Sequence, residues 1–266
     1  MKRIRVSRWT LPGSVRRRLD TVAVEEPMEL RVDTRPVAVI MRTPGHDEEL
    51  AVGFLVSEGM LRRRAELRAV RPDVRNRRGN VLDVFLEPEV TVDFARLTRH
   101  VFASSSCGLC GATSIASVQR QFPAVRSTFR IAPDRLLALP ESLRAGQLAF
   151  DATGGLHAAA LFDAAGHITG LREDVGRHNA VDKVVGRSFL DGHCPLGTSG
   201  LLVSGRVSFE IVQKAVAAGI GLVAAVSAPT SLAVEFARAS RVTLIGFLRP
   251  GRFNVYSGSE RLGGPG

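Results

Sequence analysis

The stretch that decides the fold is Leu201-Leu202-Val203-Ser204-Gly205-Arg206, which leads into an apolar-periodic run at residues 209–218. A short apolar run, a polar turn and a run with helical periodicity are typical of one strand–helix unit. The unit is repeated, because residues 222–226 predict a second strand and residues 231–239 a second helix. Short apolar strands that alternate with helices predict a layered α/β domain with a largely parallel sheet.

The same alternation extends on both sides of this unit, so we expect the α/β domain to span residues 129–258. The further segments with strand or helix periodicity are residues 133–143 (helix), 156–162 (strand), 168–172 (strand), 179–189 (helix) and 242–248 (strand).

The first part of the chain is less regular. Alternating apolar residues predict strands between residues 21 and 42, at residues 81–86 and around Val90 and Val92. A helix that begins with acidic residues is predicted from Thr43 to Gly59. We therefore expect residues 20–128 to form a smaller N-terminal α+β subdomain that ends in a cysteine loop and helix. Residues 1–19 are arginine-rich and residues 259–266 glycine-rich, so both are expected to be loosely ordered.

Composition restricts the class of protein. The 266 residues are 45% hydrophobic, with a net charge of +10. No segment reaches the roughly 18 apolar residues of a membrane helix, and no signal-peptide core follows the basic N-terminus. We expect a cytoplasmic protein without membrane contact. One Trp and one Tyr offer little for base stacking, so we expect no nucleic acid, whereas the arginines suit the phosphates of a smaller ligand.

Two of the three cysteines lie together in Ser104-Ser105-Ser106-Cys107-Gly108-Leu109-Cys110-Gly111. The periodic run that follows predicts a helix with both thiols at its N-terminus, where free N–H groups and the macrodipole lower a thiol pKa. Four interpretations remain open: half of a zinc site, a redox pair, a buried structural pair, and a nucleophilic or sulfur-carrying thiol. A zinc site needs a second ligand pair, and none stands at that spacing, so we expect no metal. Cys194 is expected to be passive.

Polar loops follow the predicted strands, and in a parallel sheet such loops meet at one edge. This edge predicts a crevice for a bulky, phosphorylated, polar ligand, although each loop alone could be a helix cap or a solvated turn. The residues expected to line the crevice are Arg177, His178, Ser204, Arg206, Ser227, Arg249 and Arg252.

Ordered motifs along most of the chain resemble the formate dehydrogenase accessory sulfurtransferase family known as FdhD. The motifs are residues 43–59, the Ser-Ser-Cys-Gly-x-Cys-Gly stretch at 105–111, and residues 153–158, 173–179, 204–206 and 228–233. The resemblance implies that the larger domain has a layered, cytidine-deaminase-like α/β fold and that the protein is a homodimer.

The resemblance also implies a function. The protein would be a sulfur carrier that takes persulfide sulfur from a cysteine desulfurase and passes it to the molybdenum cofactor. That cofactor, in its bis(molybdopterin guanine dinucleotide) form (Mo-bis-MGD), is then inserted into formate dehydrogenase.

By resemblance, the protein would act as a sulfurtransferase, with Cys107 carrying the persulfide and Cys110 assisting or resolving it. The segment implied to bind the cofactor is Phe247-Leu248-Arg249-Pro250-Gly251-Arg252. Two alternatives are a thiol–disulfide oxidoreductase and a non-catalytic chaperone that holds the cofactor.

Overall fold

The computed structural model describes residues 1–94 and 122–263. Cys107, Cys110 and the helix predicted after them lie outside the described residues.

The chain begins with a β-hairpin and a small sheet. The hairpin consists of β1 (Lys2–Thr10) and β2 (Ser14–Val22), which pair only with each other among the described strands. A four-stranded sheet follows, in the order β4-β3-β6-β5. Its elements and the two helical segments between them are β3 (Glu26–Val32), β4 (Arg35–Arg42), α1 (Asp47–Ser57), a 3-10 turn (Arg64–Glu66), β5 (Leu67–Pro72) and β6 (Val81–Leu86).

The second part of the chain forms a six-stranded mixed sheet in the order β12-β11-β10-β9-β7-β8. Its strands are β7 (His157–Phe162), β8 (Ile168–Asp174), β9 (Gly200–Val203), β10 (Leu222–Ala225), β11 (Thr243–Arg249) and β12 (Arg252–Ser257). Its helices are α2 (Pro133–Gly146), α3 (Leu148–Thr153), α4 (Arg177–Leu190), α5 (Phe209–Ala217) and α6 (Ser231–Ala239). The predicted mixture of strands and helices is confirmed.

The sheet has a hydrophobic core on each face, because successive strand residues point to opposite sides. In β7, Ala159 and Leu161 pack with the cluster that contains residues of α1, α4, α5 and α6. The alternate residues Ala158, Ala160 and Phe162 pack with the cluster that contains residues of α2. The six-stranded sheet is therefore covered by helices on both faces.

The prediction of a largely parallel sheet is only partly right. Strands β9, β10 and β11 are parallel, whereas β7 is antiparallel to both of its neighbours and β12 is antiparallel to β11. Short turns join β7 to β8 and β11 to β12, and a short turn can connect only antiparallel strands.

Residues 1–19 are not loosely ordered. The two nine-residue strands of the hairpin pair in continuous register from Lys2↔Val22 to Thr10↔Ser14 around a tight turn. The prediction missed this alternation because arginines occupy many strand positions. The C-terminal tail is also ordered as far as it is described, since Leu262 bridges Ile131 and the N–H of Gly263 donates to the Ile131 carbonyl.

Four further differences concern single elements. Val90 and Val92 lie outside any strand, whereas β5, α3 and β12 were not predicted. The three missed elements are short segments with mixed polarity, which carry little periodic signal.

Helix α1 connects the first part of the chain with the six-stranded sheet by packing directly on α4. Gly53 of α1 lies against the backbone of Asp182, and Gly186 of α4 lies against the backbone of Glu49. One hydrophobic cluster accordingly contains residues from both sides of the boundary expected between residues 128 and 129.

Candidate functional site

The C-terminal ends of β8, β9, β10 and β11 lie at one edge of the six-stranded sheet, together with the start of β7. The strand registers place Ala159 beside Val203, Val203 beside Ala225, and His157 beside Asp174. The loops that carry Arg177, Ser204 and Ser227 therefore leave the sheet on the same side, as the alternation of strands and helices predicted.

His157, Arg177 and Gly205 come together at this edge. A Cβ atom on Gly205 would lie 3.2 Å from His157 Nδ1 and 3.7 Å from Arg177 Cβ. Burial and the nearby Arg177 guanidinium hold the pKa of His157 below its ordinary value. His157 is therefore expected to be a neutral imidazole at pH 7, which can both donate and accept a hydrogen bond.

Helix α4 begins at this edge with Arg177 and His178, and no acidic residue lies in its first turn. Cations at a helix N-terminus oppose the macrodipole, whereas an anion there is stabilised by it. The Nε atom of Arg177 is buried and has no hydrogen-bond partner among the described residues. This helix end therefore has the charge and the donors to bind an anion.

Asp174 fixes the start of α4. It is fully buried, and its Oδ1 accepts hydrogen bonds from Gly176 N at 2.8 Å and Asn179 Nδ2 at 2.9 Å. Its Oδ2 accepts from Thr43 N at 3.1 Å and lies 2.7 Å from Lys183 Nζ. These contacts attach α4 to the loop before α1, so Asp174 and Lys183 serve the structure.

His178 contacts two residues at the start of α5. Its Nε2 atom lies 2.7 Å from Glu210 Oε2 and 3.1 Å from Ser208 Oγ. The hydrogen bond from His178 holds the pKa of Glu210 below its ordinary value. Together, His178 and Glu210 form an acid–base pair beside the edge.

A cavity of about 610 Å³ opens near the same edge. Its lining residues are Arg144, Gln147, Phe150, Gly154, Gly155, Leu156, His157 and Ser204. Ser204 is the one residue of the predicted crevice in this lining, and its Oγ accepts from Ala158 N at 2.9 Å.

The cavity residues on α2 and α3 were missed. Arg144 lies with its guanidinium over the Phe150 ring, 5.0 Å from the centroid. The sequence prediction concerned only loops that directly follow strands, and these residues do not follow a strand. Only the motif at residues 153–158 indicated this region.

The segment Phe247 to Arg252 forms the tip of the β11–β12 hairpin. β11 continues four residues beyond Ile245, the last residue that pairs with β10. Arg249 and Arg252 pair directly across the turn and are exposed, as are Pro250 and Gly251. The tip therefore presents two exposed guanidinium groups, whose geometry suits phosphate.

The two apolar residues of this segment have different environments. Phe247 is partly exposed and has a φ of 52°, a backbone region that non-glycine residues rarely adopt. Leu248 is fully buried in the core beside α2. Its side chain therefore does not face a ligand, although Leu248 was included in the predicted cofactor-binding segment. Of the remaining predicted residues, Arg206 is exposed and Ser227 is half-buried.

The thiol of Cys194 is expected to react slowly with alkylating reagents. Burial raises its pKa from 9.0 to about 12, and the thiolate is the reactive species. That rise reduces the thiolate fraction at about pH 8 roughly 1000-fold. With Cys107 and Cys110 replaced by serine, iodoacetamide should label Cys194 about 1000-fold more slowly in native than in urea-unfolded protein, followed by mass spectrometry. Equal rates would show that the thiol is accessible.

Within residues 1–94 and 122–263, no group of three or more His, Cys, Asp or Glu residues is placed to hold a metal ion. No helix in that part of the chain is long and apolar enough to cross a membrane.

The chain is similar to known proteins over most of its length. It matches the model of the FdhD/NarQ family over residues 23–263. It is 50% identical over 259 residues to the sulfur carrier protein FdhD of Streptomyces coelicolor, covering 94% of this chain and 92% of that protein. It is 49% identical over 255 residues to the protein of the same name from Mycobacterium tuberculosis, covering 92% of each chain.

The fold is also similar to a solved structure. A Desulfotalea psychrophila protein described as a formate dehydrogenase accessory protein superposes with a TM-score of 0.78, covering 98% of both chains at 22% identity. At this identity the likeness concerns the fold alone. The family match over most of the chain, together with relatives at half identity, shows that this chain belongs to the FdhD/NarQ family.

Proposed function

We propose that this protein is a sulfur carrier, acting as a sulfurtransferase through a persulfide on Cys107. It takes sulfur from a cysteine desulfurase and passes it to Mo-bis-MGD before that cofactor enters formate dehydrogenase. The observation that carries the proposal is the similarity, at half identity and over more than nine-tenths of both chains, to a protein named as a sulfur carrier. We further propose that it is a cytoplasmic homodimer with a cytidine-deaminase-like larger domain.

The loading step is a thiol exchange that needs no external oxidant or reductant. The Cys107 thiolate attacks the outer sulfur of the desulfurase persulfide, and the S–S bond of that persulfide breaks. The desulfurase cysteine leaves as a thiolate, and Cys107 becomes the persulfide. A thiol with a lowered pKa suits this step, because the thiolate is the nucleophile. Cys110 assists or resolves the persulfide.

The edge of the six-stranded sheet has the donors that a guanine dinucleotide cofactor requires. The N-terminus of α4 and the unpartnered Nε of Arg177 suit a phosphate. Arg249 and Arg252 on the exposed hairpin tip suit a second phosphate. The cavity beside His157 and Ser204 has room for part of a polar ligand. His178, Arg206, Ser227 and the backbone of Pro250 and Gly251 complete the proposed surface.

Intact-protein mass spectrometry tests the loading step. The purified protein is incubated with a cysteine desulfurase and cysteine, and we expect an added mass of about 32 Da, one sulfur atom. The addition should disappear with a thiol reductant and should map to the peptide that contains Cys107. A reaction without cysteine is the control.

The two alternatives predict different outcomes. A thiol–disulfide oxidoreductase would form a Cys107–Cys110 disulfide that cycles with a reductant, without affinity for the cofactor. A cofactor chaperone would bind the guanine dinucleotide cofactor equally well with and without both cysteines. If neither cysteine accepts sulfur while the cofactor still binds, the chaperone function replaces the proposed one.

A further inference from the structure

The β1–β2 hairpin is exposed over most of its length. It is a separate two-stranded sheet in the described structure, and an isolated two-stranded hairpin is marginally stable in water. Several large apolar side chains of this hairpin and its turn are nevertheless in contact with solvent. They are Met1, Ile4, Trp9, Leu11, Val15 and Leu19. A surface of this kind is typical of a binding site.

The hairpin is also strongly basic. Residues 1–22 contain seven Lys and Arg side chains and a single Asp, a net charge of +6 out of +10 for the whole chain. Arg5 and Arg17 form no ion pair within residues 1–94 and 122–263. Their charges are therefore available to a partner.

The strand register places three of these exposed apolar residues, Trp9, Val15 and Leu19, on one face together with the two arginines. Directly opposite residues share a face, and the pairs Arg5↔Leu19, Ser7↔Arg17 and Trp9↔Val15 alternate with pairs on the other face. We call these six residues the Trp9 face. Its apolar members are exposed by 76% (Trp9), 47% (Val15) and 58% (Leu19).

We propose that the Trp9 face docks an acidic protein segment that carries aliphatic side chains. Trp and Arg are the residues that most often dominate binding energy at protein interfaces, and here they alternate with aliphatic residues. Carboxylates of the partner would pair with Arg5 and Arg17 while its apolar side chains cover Trp9, Val15 and Leu19.

Two other occupants fit this face less well. A single-stranded nucleic acid needs several aromatic platforms, and the Trp9 face has one aromatic side chain beside two aliphatic ones. Symmetric pairing with the hairpin of a second copy would bring together two segments of the same charge, which is unfavourable.

The test uses Trp9 as the reporter, because it is the single tryptophan of the chain. The full-length protein is titrated with a peptide of alternating glutamate and leucine while Trp9 emission is recorded. We expect a saturable blue shift, since covering the indole removes it from water. A glutamate-only peptide of the same length should bind at least about tenfold more weakly, because it lacks the apolar contacts.

A matched pair of variants compares the loss of two positive charges on the Trp9 face with the loss of two positive charges on the opposite face. Arg5→Ser with Arg17→Ser should weaken binding of the glutamate–leucine peptide about tenfold or more. Arg8→Ser with Arg16→Ser removes the same charge from the opposite face of the hairpin and should change the affinity less than about threefold. Equal losses in both variants would overturn the proposal.

Three further measurements test the other possible occupants of the Trp9 face. The protein is titrated with phosphatidylglycerol vesicles and with single-stranded DNA, and it is diluted without any ligand. Tighter binding of vesicles or DNA than of the peptide would assign the face to a membrane or a nucleic acid. A red shift on dilution would assign it to a second copy. Each of these results, or an unchanged emission with the peptide, overturns the proposal.

Discussion

Replacing Cys107 with alanine is expected to abolish sulfur loading completely. Alanine has no thiol, so the proposed mechanism loses the thiolate that attacks the outer sulfur of the donor persulfide, and Cys110 is not expected to replace it because its proposed role is to assist or resolve. The variant should gain no mass after incubation with a cysteine desulfurase and cysteine, and a strain that carries it should lose formate dehydrogenase activity. Its far-UV circular dichroism and urea midpoint should match those of the wild type.

The two other cysteines provide the controls for this prediction. Cys194→Ala should load sulfur at the wild-type level, because the Cys194 thiol is half-buried and its pKa is raised to about 12. Cys110→Ala tests whether Cys110 is required for sulfur loading. Loading should persist in this variant if Cys110 only resolves the persulfide. Full formate dehydrogenase activity in the Cys107→Ala strain would show that Cys107 is not the carrier.

Replacing Gly186 with alanine is expected to destabilise the protein by about 2–3 kcal/mol. The new Cβ would overlap the backbone carbonyl of Glu49 and lie 2.7 Å from the backbone nitrogen of Gly53. Neither group is the end of a flexible side chain, so α1 and α4 must separate. Alanine is favoured over glycine inside a helix by about 1 kcal/mol, which offsets only part of this cost.

Urea unfolding followed by far-UV circular dichroism measures the effect. Gly170→Ala in β8 is the control. Its Cβ would make an ordinary contact of 3.5 Å with Val184, which lies on α4 as Gly186 does. Gly53→Ala should repeat the Gly186→Ala result, since its Cβ would overlap the backbone carbonyl of Asp182. An unchanged urea midpoint for both helix variants would mean that the two helices can separate at little cost.

A buried ion pair lies beside the close approach of α1 and α4. Asp182 of α4 accepts hydrogen bonds from Ser57 Oγ at 2.6 Å and from Lys214 Nζ at 2.9 Å and 2.8 Å. Both charged side chains are buried, and removal of one partner would leave the other uncompensated. The packing of α1 on α4 is thus stabilised both by close steric fit and by paired charges.

Local sequence determined the regular elements that carry strong periodicity. Residues 231–239 were predicted as a helix, and in the structure Thr230 caps its N-terminus, because Thr230 Oγ1 accepts a hydrogen bond from Ala233 N. The strand at residues 201–203 and the helix at 209–217 followed equally from short-range pattern. Such elements are predictable because their signals, apolar spacing and capping residues, lie within a few positions of each other.

The meeting of the polar loops at one sheet edge was also determined by sequence. Alternation of strands and helices requires it, and the order of motifs indicated the family, which the comparisons confirm. The proposed role of Cys107 comes from that resemblance, because its residues lie outside the described structure.

Only the tertiary structure decided which charged side chains between residues 173 and 183 are available to a ligand. Lys183 pairs with Asp174 and donates to the Thr43 carbonyl, 140 positions away, while the Arg177 Nε has no partner among the described residues. The sequence shows these residues as neighbours of similar chemistry. Lys183 is paired and the Arg177 Nε is not, within the described part of the chain, because the packing of α1 against α4 sets their burial and their long-range partners. No local sequence pattern encodes that packing.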